Sequence, residues 1–225
     1  TPFTNSVISS SHPLASKTGL DIFKKGGNAF DASVAAAFTL SVVEPSMSGL
    51  GGRIQAIYKN SEGEIRGIDG STEVPADYVD KNGKFKYGYP TIGIPGVVAG
   101  LLALHDKKGN LPLSDVIAPA IKLAKKGFRI LPGEATRQQS VKEKLLEFEG
   151  TRYHFMINDS LNYKAGDLFI QSALAKVLET IAEKGRAGFY EGEIANKIVK
   201  DLQSNGSILN LKDLKDYKAL ESKIL

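Results

Sequence analysis

The amino-acid sequence predicts an α+β fold with a mainly helical second half. Three observations carry this expectation. Two short alternating segments flank a turn near residue 61 and read as a β-hairpin. Six stretches of helical spacing follow Ile94. Strand and helix patterns never alternate as a βαβ repeat requires, which excludes a regular parallel sheet.

Taken in order, Ser6–Ser10 reads as a short strand. His12-Pro13 then opens a helix in which Leu20 and Phe23 share a face, with Lys24 and Lys25 in its last turn and Gly26-Gly27 as its stop. A second helix runs over 29–43. Val34, Ala37, Phe38 and Val42 mark one face, and Ala32, Ala35 and Ala36 keep the other small and apolar, so it is buried on most sides. The hairpin strands are 53–58 and 64–69, joined through Asn60, Ser61 and Gly63. Residues 72–91 turn polar and form a surface excursion. Helices are predicted over 97–105, 113–125, 134–148, 171–182, 191–203 and 211–217. Ile117, Ile121 and Ala124 mark one core face; Leu174, Leu178 and Ile181 mark another. An apolar run then opens at the end of the chain and reads as a strand cut short. The whole of 1–225 reads as the N-terminal portion of one domain, completed by later sequence.

Composition narrows the function classes. The 225 residues are 42% hydrophobic and 24% charged, ordinary globular values. Net charge is +4, with Lys pairs scattered rather than massed, which argues against a nucleic-acid interface. The longest apolar stretch, near 35–43, is far short of the roughly 20 residues that cross a bilayer, and the first residues lack a signal-peptide pattern. Cysteine is absent, which excludes disulfides, thiolate catalysis and Cys-based metal sites. With only His12, His105 and His154 available, well separated in sequence, no metal is predicted.

Several motifs admit a chemical reading beside a plainer one. Gly49-Leu50-Gly51-Gly52 is a loop whose backbone N–H groups can approach a ligand, or a tight turn that lets helix and strand pack closely. Its helix-then-strand order is the reverse of a dinucleotide fingerprint. Gly93-Ile94-Pro95-Gly96 reads as a helix start. Thr1 has the chemistry of a terminal nucleophile that uses its own α-amine as base, or is where the numbering begins. His12 and His105 have no Ser or Asp partner in a defined motif and read as structural. Asp69, Glu73, Asp77 and Asp80 gather around the excursion, either to hold a cation or support acid–base work, or as a solvated loop. Lys84-Phe85-Lys86-Tyr87 interleaves charge with aromatic rings as a stacking platform does, though no larger basic face accompanies it.

Further runs carry a resemblance. Ser9–Ser16 (SSSHPLAS), Gly26–Ala32 (GGNAFDA), Val43-Glu44-Pro45 with Ser48–Gly52, Ile94–Gly100, Leu111-Pro112-Leu113, Ala118–Ile121, Gly127-Phe128, Phe189–Gly192 and Leu211–Tyr217 occur in the order found in the γ-glutamyltranspeptidase family. The chain resembles the first part of that family's large subunit, except over 76–90 and 131–165. The resemblance implies an N-terminal nucleophile hydrolase of αββα architecture, made as a precursor that cuts itself in two. It implies a threonine nucleophile and an oxyanion-hole glycine pair beyond Leu225, so no catalytic residue is assigned within this chain, and it implies no cofactor, since that chemistry needs only a nucleophile, its amine and oriented N–H groups. The implied partners are a small-molecule γ-glutamyl or related amide and the small-subunit part of the same precursor, with neither nucleic acid nor membrane.

One departure from the family bears on substrate. The family carries an arginine for the substrate α-carboxylate after the second hairpin strand, where this chain reads Ile68-Asp69-Gly70-Ser71-Thr72-Glu73-Val74-Pro75. The arginine position falls on Ser71, or on Thr72 after a one-residue shift. Neither is cationic, and Glu73 repels a carboxylate. Removing one member of a buried charge pair costs about 2–5 kcal/mol, enough to change the preferred donor. The nearest arginines are Arg53 and Arg66, of which Arg53 is the candidate to supply the missing charge from the hairpin. Ser71, Glu73 and Arg53 are therefore the candidate substrate-binding residues of a γ-glutamyl transferase or hydrolase with an altered donor pocket. The alternatives are an acylase of the same superfamily, acting on glutaryl, cephalosporin or poly-γ-glutamyl amides, and a non-catalytic homologue.

Overall fold

The computed structural model describes residues 6–79 and 86–223. The readings made for Thr1, Asp80, Lys84 and Phe85 lie outside the described residues. In chain order the first elements are α1 (Pro13–Lys24), α2 (Ala29–Val43), β1 (Ile54–Lys59), β2 (Ile65–Gly70), a 3₁₀ turn (Tyr89–Thr91), α3 (Val97–Lys108) and α4 (Leu113–Lys126). Then come β3 (Phe128–Arg129), α5 (Pro132–Ser140), α6 (Lys142–Glu147), α7 (Glu149–Phe155), β4 (Met156–Ile157), β5 (Leu161–Asn162) and β6 (Leu168–Phe169). The last are α8 (Ser172–Lys184), α9 (Ala187–Tyr190), α10 (Gly192–Ser204), α11 (Leu211–Asp216) and β7 (Leu220–Lys223). The α+β class and the helical second half are borne out. Among the described residues no helix is long and apolar enough to cross a membrane.

Two compact units divide the chain. The first comprises Thr1–Gly49 and Asp115–Leu178, the second Leu50–Ser114 and Glu179–Leu225.

In the first unit, α1 starts on His12, whose Nδ1 accepts the Leu14 N–H at 3.1 Å. Pro13 sits in the first turn, where its missing N–H is no loss. α2 starts on a capping box in which Asn28 Oδ1 accepts from the backbone of Phe30 and Asp31 while Asp31 accepts from Asn28 N–H. Both faces of α2 are buried, as its small apolar residues predict. The segment 6–10 is not a strand: it has no ladder partner among the described residues. Its alternating burial comes from a helix instead. Ile8 fills the notch at Gly19 of α1, where an added Cβ would lie 2.2 Å from Ile8 Cδ1, while Val7 is exposed.

The single helix expected over 134–148 is also corrected, since it breaks at Val141 into α5 and α6. Ser140 Oγ donates to the Arg137 carbonyl at 2.7 Å, a local bond that competes with the helical ladder. Beyond it, α7 and the short ladders β3–β6 and β4–β5 have too few residues to show a period. Aromatic packing holds them: the Phe169 ring lies 5.9, 6.2 and 4.8 Å from those of Phe128, Phe155 and Tyr163. The one deeply buried carboxylate of this region, Glu134, accepts from Ser46 Oγ at 2.5 Å, Gln138 Nε2 at 2.8 Å and Arg137 Nη2 at 3.2 Å.

The second unit is built on an antiparallel sheet of order β1-β2-β7, in which Ile54 faces Gly70 and Asp69 faces Leu220. The terminal strand read from the sequence is thus present as β7. Helix α3 lies against this sheet at very short range: a Cβ on Gly96 would sit 2.0 Å from the Gly70 carbonyl, and one on Gly100 would sit 2.4 Å from Ile54 Cγ2. The start of α3 is satisfied from outside the helix. The Gly52 carbonyl accepts Gly96 N–H at 2.9 Å and Val97 N–H at 3.2 Å. Tyr190 Oη accepts Ala99 N–H at 3.1 Å and donates to the Pro95 carbonyl at 2.7 Å. Tyr190 stacks on Tyr217, with centroids 5.9 Å apart and planes 16° apart, and Tyr217 Oη donates to the Ser71 carbonyl at 2.7 Å. Arg186 lies over the Tyr190 ring at 4.8 Å and donates to the last carbonyls of α11, including Tyr217 O at 2.5 Å.

Two outcomes are expected. Burial holds the His12 imidazole below the usual 6.5, and the Glu44 and Glu134 charges only offset it. The unfolded chain therefore binds the extra proton more readily, so the His12 contribution is complete above pH ~6.5 and is lost as pH falls toward the folded value. An imidazolium also has no lone pair for Leu14 N–H. In thermal unfolding at pH 7.5 and 5.5, the His12→Asn variant, which keeps a capping acceptor, should lose less stability on acidification than the parent. Tyr217→Phe removes the hydroxyl and leaves the Ser71 carbonyl short of its donor, a loss of about 1–3 kcal/mol. Its midpoint should fall by several degrees; an unchanged midpoint would show that the clamp on Ser71 is dispensable.

Candidate functional site

The candidate residues gather at one end of the β1–β2 hairpin. Strand β2 ends at Gly70, and the chain turns at once because Asp69 Oδ1 accepts from both Ser71 N–H at 2.9 Å and Ser71 Oγ at 2.5 Å. These two bonds hold the Asp69 carboxyl below the usual carboxylate range. They also commit the Ser71 hydroxyl to a neighbour on its own loop. Two residues on, the backbone of Glu73 pairs with Ile94, donating at 3.3 Å and accepting at 2.8 Å. Gly93 makes this pairing possible, since a Cβ there would lie 2.6 Å from Thr72 Cγ2 and 2.7 Å from the Glu73 carbonyl. The loop is thus fixed by its own Asp69, by Tyr217 and by the strand before α3.

Arg53 precedes Ile54, whose cross-strand partner is Gly70, so it stands at the same end of the hairpin as Ser71. It is exposed and forms no ion pair among the described residues. The three candidates therefore stand at one end of the hairpin, with the Asp69 and Glu73 carboxylates on the same stretch of chain as Ser71. Burial pushes the Tyr217 hydroxyl up to about 12, and the charges of Glu73 and Asp69 add to it.

Beside the loop lies a cavity of about 540 Å³. Its lining includes Thr72, Glu73, Asp77 and Tyr78, with Ile92 and Ile208 supplying apolar surface. The 75–78 stretch is anchored where Asp213 Oδ1 accepts Ala76 N–H at 3.1 Å. The acidic group read from the sequence is thereby divided: Asp69 serves the turn, while Glu73 and Asp77 face the cavity. Among the described residues no group of three or more acidic or histidine side chains is arranged to hold a metal ion. His12 and His105 are structural, with His12 capping α1 and His105 Nε2 donating to the Leu111 carbonyl at 2.9 Å. Gly93–Gly96 is the helix start it was read to be. At Gly51, by contrast, an added Cβ would meet nothing within 4 Å, so close packing does not account for that glycine.

Sequence reasoning missed Tyr190, Tyr217 and Arg186, which position the loop from more than 100 residues away in the chain. Phe189–Gly192 and Leu211–Tyr217 were visible as motifs, but nothing in their spacing showed that the two tyrosines stack on each other.

Comparison with known proteins completes the picture. The family model described as Gamma-glutamyltranspeptidase matches residues 15–225. Glutathione hydrolase proenzyme of Escherichia coli is 34% identical over 225 residues, covering 96% of this chain and 39% of that protein. The crystal structure of Helicobacter pylori gamma-glutamyltranspeptidase superposes with a TM-score of 0.94 at 37% identity, over 98% of this chain and 66% of that one. Cephalosporin acylase from Bacillus halodurans gives a TM-score of 0.87 at 26% identity, over 99% of this chain and 46% of that one. The chain spans about two fifths of the length of curated relatives such as the E. coli protein. With the match running through nearly all of its residues, the chain belongs to the gamma-glutamyltranspeptidase family.

Proposed function

We propose that the full-length protein is a self-processing amidohydrolase of the N-terminal nucleophile type, which transfers or hydrolyses a γ-glutamyl or related acyl amide. The observation that carries this reading is the family match over 15–225 together with a TM-score of 0.94 to a gamma-glutamyltranspeptidase. In the proposed chemistry, cleavage of the precursor exposes a threonine outside this chain. Its hydroxyl attacks the amide carbonyl, its own α-amine takes the proton, and the amine leaves with that proton. Water or an acceptor amine then resolves the acyl-enzyme, and backbone N–H donors stabilise each tetrahedral oxyanion.

Within this chain we assign donor recognition to the hairpin end. Ser71, Glu73 and Arg53 meet the head of the acyl group there. Ser71 or Thr72 takes the place of the family's arginine, so a bidentate grip on an α-carboxylate is missing from the loop. An acylase reading, with donors that lack the amino-acid head, is favoured by this same feature and by the likeness to cephalosporin acylase. A small-molecule amide and the second part of the precursor are the proposed partners.

Intact mass of the purified full-length product, fresh and after incubation at neutral pH, tests the class. Two fragments with a cut immediately before a Thr or Ser are expected; one persistent uncut mass would make the protein a non-catalytic homologue. Donor profiling tests the pocket. Amides of 4-aminobutyrate, which keep the ammonium of the γ-glutamyl head and lack its carboxylate, should be used within about tenfold of γ-glutamyl amides. A preference for γ-glutamyl amides of several hundredfold would mean that a carboxylate grip exists elsewhere, and loss of that preference in Arg53→Ala would locate it.

A further inference from the structure

The 540 Å³ cavity beside the loop has a chemical character of its own. Its volume suits a small molecule. Much of its lining is apolar: Val74, Tyr78, Ile92 and Ile208 are 62%, 49%, 39% and 44% exposed, unusual values for such side chains gathered around one hollow. Two carboxylates, Glu73 and Asp77, line the same space, and no lysine, arginine or histidine does so among the described residues. Lys212 lies near enough to sense Asp77, but its Nζ is bonded to Asp216 at 2.8 Å.

The walls are preformed. Glu73 is locked by its ladder to Ile94, and Ala76 by Asp213. A ligand therefore meets a ready-made surface rather than a loop it must order, which keeps the entropy of binding low. Charge complementarity selects the occupant. An anion or an amino-acid zwitterion brings a carboxylate toward Glu73 and Asp77, whereas a cation gains from both. Apolar walls add a hydrophobic body to that cation, and Tyr78 lines the same space.

We infer that this cavity is a binding site for a hydrophobic primary ammonium, an amine bearing an apolar group and no neighbouring carboxylate. Binding stands on the cavity itself. Its use as the amine side of an acyl transfer rests on the function proposed above.

The test is titration of the full-length protein, by calorimetry or ligand-observed NMR, with three probes of one shape: 2-phenylethylammonium, 2-phenylethanol and 3-phenylpropanoate. The ammonium should bind at least tenfold more tightly than the alcohol, and the carboxylate should not bind measurably. In Glu73→Gln/Asp77→Asn the ammonium should fall to the level of the alcohol, whose own binding persists and so reports an intact cavity. Equal binding of ammonium and alcohol to the parent, no binding of either, or an undiminished preference in the double variant would each overturn the inference. Glu73→Lys/Asp77→Lys supplies a positive readout, since the preference should reverse toward 3-phenylpropanoate. None of these measurements needs turnover, so an uncut, inactive protein that still prefers the ammonium would refute the proposed function and leave the site standing.

Discussion

The second unit depends on one close approach of two backbones. Gly96, at the start of α3, meets Gly70, at the end of β2, with no room for a side chain between them. Any residue with a Cβ at position 96 would collide with both the Gly70 carbonyl and Tyr217 Oη, so the helix would have to retreat from the sheet. With the approach in place, the chain before α3 runs beside the loop after β2, and Glu73 pairs with Ile94. The two tyrosines then bridge what the glycines bring together. Tyr190 secures the first turn of α3, and Tyr217 secures the carbonyl of Ser71. Neither tyrosine hydroxyl is free to ionise near neutral pH, since burial pushes both up, and each can remain the donor its carbonyl partner requires.

How much of this was legible depends on whether the signal was local. Helix α2 was readable residue by residue because Asn28 and Asp31 write its start and Val34, Phe38 and Val42 write its face. The hairpin was readable to within one residue for a similar reason, its turn being spelled by Asn60 and Gly63. Where the determinant was distant, or was a side-chain bond rather than apolar spacing, the reading failed. Alternation over 6–10 was taken for a strand although its cause is a notch at Gly19. The break at Val141 arises from a side-chain bond that apolar spacing does not reveal. Segments as short as Phe128–Arg129 and Leu168–Phe169 carry no period at all.

The candidate site divides along the same line. Ser71, Glu73 and Arg53 could be named from the sequence because the family resemblance fixes where an arginine would stand after the hairpin, and all three lie at one end of it. The cavity could not be named, since its walls come from 72–79, 90–93 and 206–208, three stretches joined only by the fold. Its charge was half visible: the sequence shows four acidic residues around the excursion but not that Asp69 turns to its own loop while Glu73 and Asp77 face the hollow.

This division decides what the loop can recognise. If Asp69 were free, Arg53 would stand opposite two carboxylates at the hairpin end and would be spent in neutralising them. Because Asp69 is already satisfied by Ser71 N–H and Oγ, its charge is partly screened by those dipoles. Glu73 has no such bonds from the loop, so it is the stronger source of negative potential there, and it also faces the cavity. A ligand head near Ser71 thus meets a hydroxyl whose proton is already given to Asp69, a guanidinium on the facing strand and an unscreened carboxylate two residues on. On the proposed reading, a head with a carboxylate is drawn by Arg53 and repelled by Glu73. A neutral acyl head faces no such conflict. On the proposed reading, Ser71 in the loop and the negative character of the neighbouring cavity act together: the loop offers an acyl head an anion and no cation of its own.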